Sequence, residues 1–207
     1  MFTEQDLLTL SNKPKITDVS LQLYADFYEN HLCNKIFEYE LENKTHQKVN
    51  LQFGKGDMCH LLGIHHIFKG VKNKKEYAGE SGFQKIKNGT VTFDFLKQKN
   101  NPIFKSKQNR ILYFPFIHQV LMSSTVLLFR NDGLTKIDAD LMFYNQQNGI
   151  FFHLGIVKDN TGNFYSPITF YDRNNNNHIA NQEVIPVTSK SVIDTSSFSS
   201  RPQNTVF

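Results

Sequence analysis

Cysteine is nearly missing from this chain of 207 residues: Cys33 and Cys59 are the only two. That excludes a disulfide framework and leaves too few thiolates for a structural zinc site. Long apolar runs are missing as well. No stretch approaches the roughly 18–20 residues that a membrane-spanning helix needs, so no membrane association is expected. The opening MFTEQDLLTL has neither a basic nor an apolar leader region, so no signal peptide and a cytoplasmic location are expected. HExxH, GxGxxG, GxSxG, CxxC and a phosphate-binding loop do not occur. What is present can fold: 39% hydrophobic and 13% aromatic residues fill a core, which argues against wholesale disorder. The length suits one domain.

The formal charge is only +4, but it is unevenly placed. Residues 1–68 carry 6 basic and 9 acidic side chains, and residues 111–207 carry 6 and 7. Residues 69–110 carry 11 basic and 3 acidic. The surplus therefore lies between Lys69 and Arg110, where it suits a polyanion such as RNA. Lys69, Lys72, Lys74, Lys75, Lys85, Lys87, Lys105, Lys107 and Arg110 are the candidate contacts; the competing reading is a solvated lysine-rich face. Phe83, Tyr113 and Phe116 are candidates for stacking on unpaired bases, or else core residues.

Hydrophobic periodicity orders the chain as α+β. A helical stripe runs through Ile16, Val19, Leu23, Phe27 and Leu32, with Thr17 or Asp18 as the expected cap. Ile36–Leu41 and Val49–Phe53 flank a polar turn and read as a hairpin. Asp57 is placed to cap a short helix, MCHLLGIHHIF. Glycines and prolines divide residues 70–110 into several short helices. From Ser123 the period becomes two: STVLLFR, DADLMFYN, GIFFHLGIVK and SPITFYD alternate, with EVIPVTS as an extension. The expected architecture is a helix and hairpin, short helices, and then a four- to five-stranded antiparallel sheet. It forms a single domain over residues 1–195, followed by a flexible tail at 196–207.

Acid–base chemistry is the best use of the histidines. His60, His65 and His66 share one window, but spacings of five and six residues do not chelate a metal from a regular helix, so no metal or cofactor is expected. Imidazole titrates near neutral pH and can accept or donate a proton, which makes His60 a candidate catalyst; the competing reading is packing beside Leu61 and Leu62. His153 alternates with Phe152, Leu154 and Ile156 and is expected on the open face of the sheet. Ser166 and Thr169 can orient a phosphate, as can Arg130 or Lys136 at the first sheet hairpin. Cys59 carries no mark of a reactive thiol.

FGKGDMCHLLGIHHI, followed later by FFHLGIVKDNTGNFYSPITF, resembles the PBECR4 domain. This is a phage-associated branch of the barnase–EndoU–colicin E5/D–RelE-like (BECR) nucleases. The resemblance spans residues 36–172. It implies a metal-independent endoribonuclease fold that attacks RNA, tRNA among its targets, through the RNA's own 2′-hydroxyl. It matches His60 to the helix histidine, and Ser166 and Thr169 to the polar residues of the P-x-TF strand. Such a protein would act in a phage host's cytoplasm. The alternative is a phage-encoded inhibitor of anti-CRISPR type, which binds a host defence ribonucleoprotein and holds RNA as a scaffold.

Overall fold

The computed structural model describes residues 1–131, 133 and 135–195; the tail expected at 196–207 lies outside the described residues. Helices α1 (Glu4–Leu8) and α2 (Leu21–Tyr28) precede strands β1 (Lys35–Leu41) and β2 (Lys48–Gln52). Four helices follow: α3 (Met58–Leu61), α4 (Gly79–Lys87), α5 (Phe93–Leu112) and α6 (Ile117–Leu121). Among the described residues five strands follow: β3 (Thr125–Leu128), β4 (Leu141–Gln147), β5 (Ile150–Lys158), β6 (Tyr165–Arg173) and β7 (Glu183–Asp194).

The strands stand where alternation places them, but the expected four- to five-stranded antiparallel sheet is wrong. All seven close into one barrel in the order β1-β2-β6-β5-β4-β3-β7. Two pairings make the difference. β1 lies antiparallel to β7, from Lys35↔Asp194 to Leu41↔Val187. β2 meets β6 in parallel at Leu51↔Tyr165, so the barrel is mixed. A free hairpin and a separate sheet would each expose unpaired edges, and closure removes both.

Inward side chains join the helices in one core. Phe37, Tyr39, Val49, Leu51, Phe143, Leu154, Ile156 and Phe170 are all buried there with Tyr24, Tyr28 and Leu61. Tyr39 packs 4.7 Å from Phe143 and donates its hydroxyl to the Leu121 carbonyl at 3.0 Å, tying β1 to α6. Helix α2 starts later than expected. Ser20, not Thr17 or Asp18, caps it by accepting the Leu23 N–H at 3.0 Å, while Asp18 accepts the Lys15 N–H. The basic segment is broken as foreseen: α5 kinks at Asn100 ahead of Pro102, and the Asn100 side chain accepts the Ile103 N–H to restart it.

His153 does lie opposite Phe152 and Leu154, but its face is not open. Leu127, Phe129, Ala139, Met142 and Tyr171 form a second apolar cluster there, and His153 is 0% exposed. Its ring stacks on Tyr171 at 4.6 Å, and neither ring nitrogen has a hydrogen-bond partner among the described residues. Burial, with His178 and Arg173 nearby, pushes its pKa down to about 3. His153 is neutral when folded and takes up a proton only once unfolded, so stability is lost as pH falls from about 6.5 towards 3. A His153→Phe variant is therefore expected to lose less melting temperature than the parent on acidification through this window. Equal losses would place the acid sensitivity elsewhere.

Candidate active site

The site is built around a broken helix. The Asp57 carboxylate accepts the Gly54 N–H at 2.8 Å and fixes the approach, rather than capping α3 itself. Leu61, Leu62, Ile64 and Ile67 bury the inner side of the segment. Gly63 then adopts φ +73°, a left-handed conformation, and a 3₁₀ turn runs from Ile64 to His66. That break brings together rings that a regular helix with these spacings would hold apart. His60 stacks on His65 at 4.4 Å with 9° between the rings, and His65 lies 4.0 Å from His66. The three imidazoles form one ridge.

Arg110 of α5 locks the ridge. Its Nε donates to the Leu61 carbonyl at 2.7 Å and an Nη to the His60 carbonyl at 2.8 Å. These carbonyls end α3: the Gly63 N–H already donates to the His60 carbonyl at 2.9 Å, and the half-buried guanidinium adds a second donor there and one for Leu61. A Cβ at Gly63 would lie 3.4 Å from the Arg110 side chain, so glycine serves both the turn and this close approach.

The electrostatics favour neutral imidazole. Burial and then Arg110 hold His60 below its ordinary value, against the pull of the Ile168 carbonyl. Burial, Lys107 and Arg110 do the same to His66. Burial and the neighbouring His66 and His60 push His65 down to about 4. Burial pushes the Arg110 guanidinium down to about 10, still cationic at neutral pH. The Cys59 thiol, buried and pushed up to about 12, is inert.

Beside the ridge opens a cleft of about 370 Å³. Helix α5 contributes Lys107 and Arg110, the β3–β4 connection Thr135, and β6 Thr169, Tyr171, Asp172 and Arg173. A bulge leaves Ile168 unpaired, since Ile156 faces Pro167 while Gly155 faces Thr169. Beyond it Thr169, Tyr171 and Arg173 share one face by the two-residue period. A Cβ at Gly155 would meet the Thr169 methyl at 2.9 Å, so glycine is what lets Thr169 lie against β5. Arg173 sits 5.1 Å over the Tyr171 ring. Burial raises the Asp172 carboxyl, and Arg173, Lys13 and Arg110 oppose that rise. A second cavity, about 320 Å³, opens from His65 and His66 onto Lys69, Lys74 and Lys75. Cations thus line both clefts; His65 and His66 open into the second, and Arg110 joins His60 to the first.

The structure sorts the anticipated residues. Thr169, Lys107 and Arg110 line the cleft, Arg110 also holds the His60 carbonyl, and Lys69, Lys74 and Lys75 line the second cavity. Lys72 and Lys105 are exposed. Lys85 instead pairs with Glu76 at 2.9 Å, and Lys87 with Asp26 and Glu29 at 2.6 Å each. Arg130 pairs with Glu183 at 3.7 Å, and neither Lys136 nor Ser166 lines the cleft, although both are exposed. Phe83 and Phe116 are core residues, while Tyr113 is half-buried. Missing from the anticipated set were His65, His66, Thr135 and Arg173. The alternation 169–171–173 was the available signal for Arg173.

This sorting predicts two different outcomes within one basic segment. Replacing Lys69, Lys74 and Lys75 together by glutamate is expected to weaken binding of a polyanionic probe by at least about tenfold, with the melting temperature kept. Lys85→Glu with Lys87→Glu is expected instead to lower the melting temperature, because it places glutamate against Glu76, Asp26 and Glu29. Filter binding and thermal melts on both variants check the contrast.

Among the described residues, no group of three or more His, Cys, Asp or Glu side chains is placed to hold a metal ion, and no helix is long and apolar enough to cross a membrane. Comparison with curated proteins and with solved structures yields no match. A family model does match, over residues 20–200, and covers the barrel, the histidine ridge and both clefts. The chain belongs to the PBECR4 family, described as phage-Barnase-EndoU-ColicinE5/D-RelE like nuclease4.

Proposed function

We propose that this nuclease cuts RNA, structured RNA such as tRNA in particular, by attack of a ribose 2′-hydroxyl on the adjacent phosphorus. The observation that carries the reading is Arg110, which holds the backbone of the neutral-imidazole ridge and at the same time lines the cleft with Lys107 and Arg173. His60 takes the 2′-hydroxyl proton as the O2′–P bond forms, and the P–O5′ bond breaks. The products are a 2′,3′-cyclic phosphate and a 5′-hydroxyl. Lys107 and Arg173 hold the phosphate while Arg110 also holds the ridge, and the Thr169 hydroxyl donates to a phosphoryl oxygen. A phosphate in the cleft offsets the cations that depress His66, so His66 gains a proton in the complex and passes it to the leaving 5′-oxygen. His153 is enclosed, and Arg130, Lys136 and Ser166 lie off the cleft, so the mechanism runs without them.

Incubation with total RNA and with tRNA in EDTA, followed by mapping of fragment ends, tests this. Fragments with cyclic phosphate and 5′-hydroxyl ends are expected. Intact RNA would refute the reading. RNA that co-purifies uncut with a host defence ribonucleoprotein would favour an inhibitor of anti-CRISPR type instead.

A further inference from the structure

One helical turn along α5 from the phosphate cleft lies another cavity, about 360 Å³, that the proposed reaction does not use. Lys13, Tyr113, Gln147, Asn148 and Phe152 line it. The Gln147 amide is oriented by its Nε2, which donates to the Ser11 carbonyl at 2.9 Å. Its Oε1 is left buried with no donor among the described residues. Asn148 is spent nearby, donating to the Ser11 carbonyl and the Asn12 side chain. Tyr113 is held by Phe152 at 5.1 Å and edge-on by Phe116 at 5.6 Å, and the Lys13 ammonium sits 5.4 Å over its ring. A held aromatic plane, a cation on a flexible stem and an unmatched buried acceptor are what a planar, N–H-bearing ligand requires.

This cavity and the cleft share a wall. Asn109 and Asp172 line the cleft. The Tyr113 N–H donates to the Asn109 carbonyl at 2.8 Å, Lys13 Nζ donates to Asn109 Oδ1 at 3.0 Å, and Phe152 stands opposite Asp172 in the ladder. A nucleotide whose phosphate sits in the cleft therefore has its base within reach of Tyr113.

We infer that this cavity is a nucleobase pocket that selects the nucleotide beside the scissile phosphate. Tyr113 stacks on the base, Gln147 Oε1 accepts an N–H from the base's edge, and Lys13 moves onto the phosphate. Uracil's one edge donor, N3–H, stands between two carbonyl oxygens that repel such an acceptor, so an amino-bearing base (adenine, cytosine or guanine) is favoured over uracil. The inference rests on the proposed ribonuclease reading, but its test does not require cleavage.

The test titrates the intact protein with the four nucleoside 3′-monophosphates by calorimetry. An amino-bearing nucleotide is expected to bind about tenfold tighter than uridine 3′-monophosphate, and Gln147→Leu is expected to level the four. Because Gln147→Leu also removes the Ser11 bond, a second pair is read beside it. Tyr113→Leu is expected to weaken all four, while Tyr113→Phe keeps the parental ranking. Equal affinities in the parent, or a ranking that survives Gln147→Leu and Tyr113→Leu, would overturn the pocket. Mapping cut sites in randomised RNA separates the two readings. Cutting without nucleotide preference sinks the pocket and leaves the nuclease. A ranking that these variants abolish, in a protein that never cuts, keeps the pocket and sinks the nuclease.

Discussion

Replacing His60 by alanine is expected to slow RNA cleavage by on the order of 10²–10⁴-fold, the usual worth of a positioned general base. The substitution spares the Arg110 grip, which is on the His60 carbonyl and not its ring, and removes the stack on His65. Alanine keeps that carbonyl and so keeps the guanidinium in the cleft. Single-turnover rates on one RNA, beside a melting curve, read the chemistry apart from the fold. A rate equal to the parent's removes His60 from the mechanism. The pH profile adds a second reading. A base works when neutral, so the rate rises with pH through a pKa below the ordinary 6.5, since burial and Arg110 depress it. Arg110→Gln removes that cation and moves the limb to higher pH. An unmoved limb would mean that another group titrates.

Gly82→Ala is expected to cost on the order of 2–3 kcal/mol, by overpacking. A Cβ there would lie 2.6 Å from the Tyr77 carbonyl carbon and 2.7 Å from Cys59 Sγ. Alanine gains about 1 kcal/mol of helix propensity over glycine, but backbone cannot give way as a side-chain tip does, so the clash wins. The strain reaches the site, since Cys59 precedes His60 on α3. The melting temperature is expected to fall by about 5–10 °C, at the few degrees per kcal/mol typical of a chain this size. Adding Cys59→Ala removes the sulfur but not Tyr77, so it rescues only in part. Full rescue would put the whole effect on the sulfur, and an unchanged melting temperature would show that the two helices separate freely.

Period two was enough to find all seven strands, because it reports which face a side chain takes. It does not report partners. The β2–β6 contact rests on one register pair, Leu51↔Tyr165, across more than a hundred residues. β7 is mostly exposed and carries Pro186, so it looked like an optional edge rather than the strand that seals the barrel. The open face expected for His153 failed for a related reason. Alternation marks the side opposite the core but is silent on whether Phe129, Ile137 and Ala139 cover it. At the site, His60 and Thr169 were readable as chemistry-bearing side chains on a helix and a strand. The ridge was not, because it depends on Gly63 turning left-handed. Nor was the inner role of Arg110, which looks in sequence like any other cation of its run and is set apart only by two carbonyls some fifty residues away.

The seam between β1 and β7 also governs how the protein is made. Its pairing joins Lys35 to Asp194, so ordering it closes a very long loop before most of the contacts that reward closure exist. Chains dominated by such distant pairings fold slowly. During synthesis the histidine segment emerges early, but Thr169 and Arg173 follow more than a hundred residues later, and the sealing strand later still. The cleft thus needs β6 beside α5, more than fifty residues on, and belongs to the assembled barrel rather than to any one segment of the chain.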